Sequence, residues 1–261
     1  MHPAPSVILF STLSGLGFGF LAFLGWGALA PSGWAAFFLW GLGYGLAVAG
    51  LLASTFHLGN PKNALKAFTQ WRTSWLSREA WASVLTLLLL APMALSDWLG
   101  LGWTRLPGQI GGVLAFGTVF TTAMIYTQIM AIPRWHSPLT PVMFLSFALA
   151  GGAVLSGQVW APVALLVVGA VLVTVWRVGD KAFAKAGQTM GTATGLDRLG
   201  TPTVFEPAHT AQNYLLREMI FVVGRKHAQK VRVIALILAA GLPALILILP
   251  LGWPGTALAG A

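Results

Sequence analysis

Two titratable residues stand where apolar runs meet a polar connection. Ala53-Ser-Thr-Phe-His57-Leu-Gly-Asn-Pro61 closes one run, and Thr73-Ser-Trp-Leu-Ser-Arg-Glu79 opens the next. His57 and Glu79 therefore fall at the same end of two successive helices, and Glu79 is the sole acid in the first 96 residues. Histidine titrates near neutral pH, and burial brings a carboxyl group toward the same range. A His/Glu pair in a pocket at a membrane edge can hydrogen-bond a quinone oxygen and take up or supply the protons of quinone chemistry. The same residues also admit a structural reading. Ser77 can cap the helix, Glu79 can serve its dipole and pair with Arg78 or Arg72, and His57 can cap the preceding carbonyls.

Trp71, Trp75, Trp81 and Phe68 are near in sequence and can build an apolar slot for a flat ring, although an aromatic belt at the lipid interface gives the same pattern. A second cluster joins Tyr126 and Gln128 to Ile132-Pro-Arg-Trp-His136-Ser-Pro. Its Arg134 can hold a headgroup, a partner carboxylate or a quinone oxygen, or simply anchor the loop. The candidate quinone-binding set is His57, Glu79, Trp71, Trp75, Arg78, Tyr126 and Arg134. Metal-ligand spacings, Gly-rich phosphate loops and a serine nucleophile arrangement are missing from the sequence. The five histidines (His2, His57, His136, His209 and His227) avoid the middle of the apolar runs, so no haem is expected in this chain. With no cysteine there is no disulfide and no Cys-ligated cluster.

The elements that position these residues follow from composition. The chain has 261 residues, 57% hydrophobic and 8% charged, with a mean hydropathy of +0.79. A soluble domain carries about 25% charged residues. This excludes a cytosolic enzyme, a disordered chain and a free nucleic-acid binder, and predicts an all-α polytopic membrane protein. About 20 helical residues cross a hydrocarbon core of roughly 30 Å. Seven transmembrane helices are predicted: 6–29, 34–56, 79–97, 109–130, 139–157, 161–177 and 232–251. Pro92 and Pro243 lie inside spans and should kink them. The N-terminal residues lack a basic region, so no cleavable signal peptide is expected.

The net charge is +9, and every Lys or Arg except Arg105 falls in loops 57–78, 131–138 and 177–232, on one side of a seven-span bundle. The positive-inside rule makes that side, and the N-terminus, cytoplasmic. Residues 178–231 form a hydrophilic insertion. Its stretch 187–195 reads as an irregular loop, and about 209–230 reads as an amphipathic interfacial helix with a basic face. Lys62, Lys66, Arg72, Arg217, Arg225 and Lys226 are candidates for docking a partner or lipid headgroups.

Several of these motifs carry a resemblance. His2-Pro-Ala-Pro-Ser, Ser54-Thr-Phe-His-Leu-Gly-Asn-Pro61, Arg72-Thr-Ser-Trp-Leu-Ser-Arg-Glu79, Met124-Ile-Tyr126, Ile132-Pro-Arg-Trp135 and Thr140-Pro141 resemble the membrane anchor subunits of the dimethyl sulfoxide reductase family. Tyr214-Leu-Leu-Arg-Glu218 and Gly224-Arg-Lys-His-Ala228 look like the branch found in membrane-bound cytoplasmic sulfite dehydrogenases. The resemblance implies a heterotrimer in the bacterial inner membrane. A catalytic subunit would carry a molybdenum bis-pterin cofactor, and an electron-transfer subunit would carry iron–sulfur clusters. The anchor would exchange electrons with ubiquinone or menaquinone. It also implies quinone-binding roles for His57 and Glu79. The family usually has eight helices, and seven are predicted here.

The preferred expectation is an anchor passing electrons from sulfite oxidation to the quinone pool, itself non-catalytic. The same architecture in reverse would use quinol to reduce dimethyl sulfoxide or a similar acceptor. A transporter would show mid-span charge and repeat symmetry, which the sequence lacks. A purely structural scaffold would leave quinone kinetics indifferent to His57.

Overall fold

In the absence of water, a backbone crossing lipid must satisfy its own hydrogen bonds, and apolar runs of about 20 residues do so as helices. A computed structural model of the chain describes residues 4–57, 61–203 and 222–249. Its main helices are α1 (Pro5–Trp26), α2 (Gly33–Ala53), α3 (Trp75–Leu99), α4 (Leu106–Thr127), α5 (Leu139–Leu155) and α6 (Ala161–Ala186). Short helices α7 (Met190–Thr194) and α8 (Val222–Lys226) follow, then α9 (Ala228–Leu236), a π-turn (Ile237–Gly241) and α10 (Leu242–Ile248). The last three form one continuous segment.

Among the described residues, six helices are long and apolar enough to cross a membrane, including Ala228–Ile248. The fifth expected span, α5, is apolar but 17 residues long. The chain is an all-α multi-pass membrane protein.

α1 is the hub. It packs against α2, α4 and α5. Association in lipid relies on close backbone approach, because apolar burial gives little net drive there. α1 uses glycine for this. A methyl group at Gly25 would stand 2.5 Å from the Gly108 carbonyl oxygen on α4, and one at Gly152 of α5 would stand 2.6 Å from the Gly19 backbone. Gly17 meets the Ala47 backbone on α2 in the same way.

Several boundaries differ from expectation, two of them with a local cause that can be named. α3 starts at Trp75, four residues before the expected Glu79, because Ser74 begins the helix in extended backbone. α6 runs on to Ala186 instead of ending at 177, and Gly187 in the left-handed region (φ 58°) closes it. The 187–195 stretch is only partly loop: Thr189 and Thr192 form a reciprocal capping box that starts α7. The π-turn lies just before Pro243, which removes one helical donor and crowds the preceding turn. Of the expected interfacial helix over 209–230, residues 209–221 lie outside the described residues. The remainder comprises α8 and the start of α9.

Candidate functional site

Glu79 lies in the second turn of α3 and is buried, with 4% of its surface exposed. The Thr122 hydroxyl of α4 donates to its Oε1 at 2.5 Å. This is its only hydrogen-bond partner among the described residues. The earlier helix start explains the placement. With Trp75 as the first helical residue, position 79 turns inward toward α4 rather than remaining at the helix mouth.

A seam of polar side chains continues below it. Glu79, Ser83 and Thr86 recur at four and three residues, so they share one face of α3. Thr118, Thr122 and Tyr126 recur every four residues on α4. The seam is knitted by Thr86 and Thr118, whose hydroxyls are 3.1 Å apart, and all four of Ser83, Thr86, Thr118 and Thr122 are buried. Leu90 and Met93, fully buried on the same α3 face, end the polar stretch. Tyr126 stacks on Phe144 of α5 (5.4 Å between ring centroids) and meets the edge of Trp135 (5.5 Å).

Other expected roles resolve differently. Ser77 does not cap α3. It accepts from the Gln70 backbone and donates to the Ala67 carbonyl, tying the 61–74 connection to the helix. Arg78 forms no ion pair with Glu79: it donates to the carbonyls of Trp71 (3.0 Å) and Arg72 (2.8 Å) and covers the face of Trp75. Trp75 meets Phe120 of α4 edge-on. Trp71 is more than half exposed and carries Arg72 over its ring. Trp81 donates to the Phe68 carbonyl at 3.0 Å. Arg134 is drawn to α6, pairing with Asp180 at 3.1 Å and lying over Phe183. Asp180 also accepts two bonds from Arg232 of α9, at 2.7 and 2.9 Å.

The backbone of His57 closes a short 3-10 turn after α2, while its side chain lies outside the described residues. The side chains of Lys62 and Arg225, and all of Arg217, do so as well. Lys66, Arg72 and Lys226 are exposed.

The opposite end of the bundle holds a second, half-buried acid. Asp97 of α3 pairs with Arg105 (2.8 Å and 3.1 Å) and accepts from the Trp40 indole of α2 at 3.0 Å. Sequence reasoning missed this triad and the hydroxyl seam. The seam was legible as Glu79-x3-Ser83-x2-Thr86 facing Thr118-x3-Thr122-x3-Tyr126.

These features define a class: a multi-pass helical membrane protein with, among the described residues, one hydroxyl-bound buried carboxyl at its basic edge. The family model described as DMSO reductase anchor subunit (DmsC) matches residues 34–176, and the chain belongs to that family. It is 33% identical over 177 residues to a sulfite dehydrogenase subunit of Allochromatium vinosum, covering 60% of this chain and 54% of the relative. The chain thus spans about half the length of that relative. No solved structure matches.

Proposed function

We propose that the chain is the membrane anchor and quinone-binding subunit of a molybdenum/iron–sulfur oxidoreductase in the bacterial inner membrane, oriented with its N-terminus in the cytoplasm. Its partners would be an iron–sulfur electron-transfer subunit and a molybdopterin catalytic subunit. The observation that carries this reading is Glu79, a buried carboxyl bonded to Thr122 in the stretch that the family match covers. The name of the relative favours sulfite as the electron source.

The residues around Glu79 suit a flat, partly polar ring. The carboxyl and the seam hydroxyls offer hydrogen bonds, while Trp75, Phe120 and Tyr126 offer apolar faces in the adjoining turns. A bound quinone supplies a carrier of two electrons and two protons. Glu79 holds or releases a proton at its carboxyl oxygens. Thr122 fixes Oε1 and leaves the second carboxyl oxygen for the ligand. Leu90 and Met93 keep water from the far side out of the seam.

The test is purification of the tagged chain with its partners from native membranes. Molybdenum and iron in the eluate, with sulfite-dependent quinone reduction, are the expected results. A metal-free monomer would overturn the reading. The family description names a reductase, so quinol-dependent reduction of dimethyl sulfoxide in the same preparation would favour the reverse direction.

A further inference from the structure

A groove opens along α1 and α5, and α6, the π-turn and α10 complete its wall. Its volume is about 510 Å³, within the range of ligand pockets. On α5 it runs from Met143 to Leu155, a rise of about 18 Å. The wall is apolar. The two hydroxyls on it, of Ser11 and Thr12, are turned back to carbonyls of their own helix, at 3.0 Å to Val7 and 2.7 Å to Ile8. Gly15 helps to keep the groove open. Gly17 and Gly19 of the same helix let the backbones of α2 and α5 come close, whereas a methyl group at Gly15 would meet no atom within 4 Å.

We propose that this groove holds the isoprenoid tail of a quinone whose ring lies at Glu79. The proposal rests on the quinone-binding reading above and adds the half of the ligand which that reading leaves unplaced. Continuity with the carboxyl site selects the occupant. Phe144 lines the groove near the start of α5, and its ring stacks on Tyr126. Tyr126 lies one turn from Thr122, which holds the Glu79 carboxyl. The groove thus begins one aromatic pair away from the site and leads away from it along α5. Its chemistry agrees. A chain of prenyl units has no polar atom, and the wall offers it no free donor. A phospholipid would bring a headgroup as well as an acyl chain. α1 and α5, which supply most of the wall, carry no Lys or Arg to hold an anionic one.

The experiment uses the complex purified with its partner subunits in detergent, and compares a long-tailed quinone with a tail-less analogue of the same ring. Gly15→Leu puts a side chain into the groove at a position where Cβ has open space. The expected result is about a tenfold rise in KM for the long-tailed quinone, equivalent to losing the burial of about two methylene groups. KM for the tail-less analogue, and kcat for both, should stay unchanged. An equal rise for both quinones, or no change for either, overturns the proposal. Should Gly15→Leu not assemble, a quinone with a photoreactive group in its tail decides on the wild-type complex. Label on α1 or α5 that excess long-tailed quinone removes supports the groove. Label elsewhere, or none, overturns it. Label that phospholipid removes and long-tailed quinone does not assigns the groove to an acyl chain and also overturns it. A wild-type complex that turns over neither quinone overturns the quinone-binding reading itself, a separate outcome.

Discussion

Glu79 and Asp97 occupy the two ends of one face of α3, about 27 Å apart by helical rise. Between them Ser83, Thr86, Leu90 and Met93 follow at steps of four and three residues. Asp97 has an arginine, an indole N–H and a mostly closed surface around it. Glu79 has a single hydroxyl and, among the described residues, no cation. A charge matched in all directions holds helices together and has no spare capacity. A buried carboxyl without a counter-charge is costly to keep, so its presence needs another reason. On the proposed reading, the contrast sets a structural acid, Asp97, against a chemical one, Glu79, within a single helix.

Glu79→Gln should sharpen this contrast most. Losing a positioned proton carrier costs typically 100-fold or more in rate. We expect about a 100-fold fall in quinone-linked turnover with an assembled complex, measured on purified material. Turnover at the wild-type rate would place Glu79 in the same structural class as Asp97. His57→Ala is expected to act in the same direction.

Asp97→Ala should do the converse. It leaves Arg105 and the Trp40 indole unpaired, at a cost of about 2 kcal/mol for a pair that is partly open to solvent. Thermal denaturation in detergent should show the loss, while turnover per assembled complex stays the same. A turnover defect without destabilisation would break the division.

A smaller effect is expected from Thr122→Val, about tenfold in turnover, from loss of a hydrogen bond to the carboxyl. Thr122→Ser should restore the rate, because only the hydroxyl is used. Equal rates in both variants would remove Thr122 from the site. Thr86→Val should be milder still, under about 1 kcal/mol in stability, since Thr118 retains its bond to the Leu114 carbonyl. A larger turnover defect there than at Thr122 would move the working part of the seam deeper into the membrane.

The spans were legible because apolar runs of this length leave the backbone little choice. Glu79 was legible because an acid at the edge of such a run is rare. Its burial was one of two readings the residues allowed, and the start of α3 at Trp75 decides it by turning position 79 from the helix mouth to the α4 face. The role of Ser77 was misread for the same reason. Arg134 lay in a loop with a site-like neighbour in Tyr126, yet its partner, Asp180, sits on a helix expected to have ended three residues earlier. Charge partners across helices cannot be read from spacing along the chain, and the Trp40–Asp97–Arg105 triad was invisible on that account.

The glycines of α1 bear on how the molecule is made. α1 precedes α2, α4 and α5 in the chain, yet it is the most enclosed of the described spans. Its glycine faces meet α2 early, but Gly25 waits for Gly108 and Gly19 waits for Gly152. The contact faces of α1 are thus synthesised before the helices that complete them. Until α5 has entered, the nascent chain holds a helix whose contact faces are open to lipid, and insertion factors or proteases would meet it in that interval.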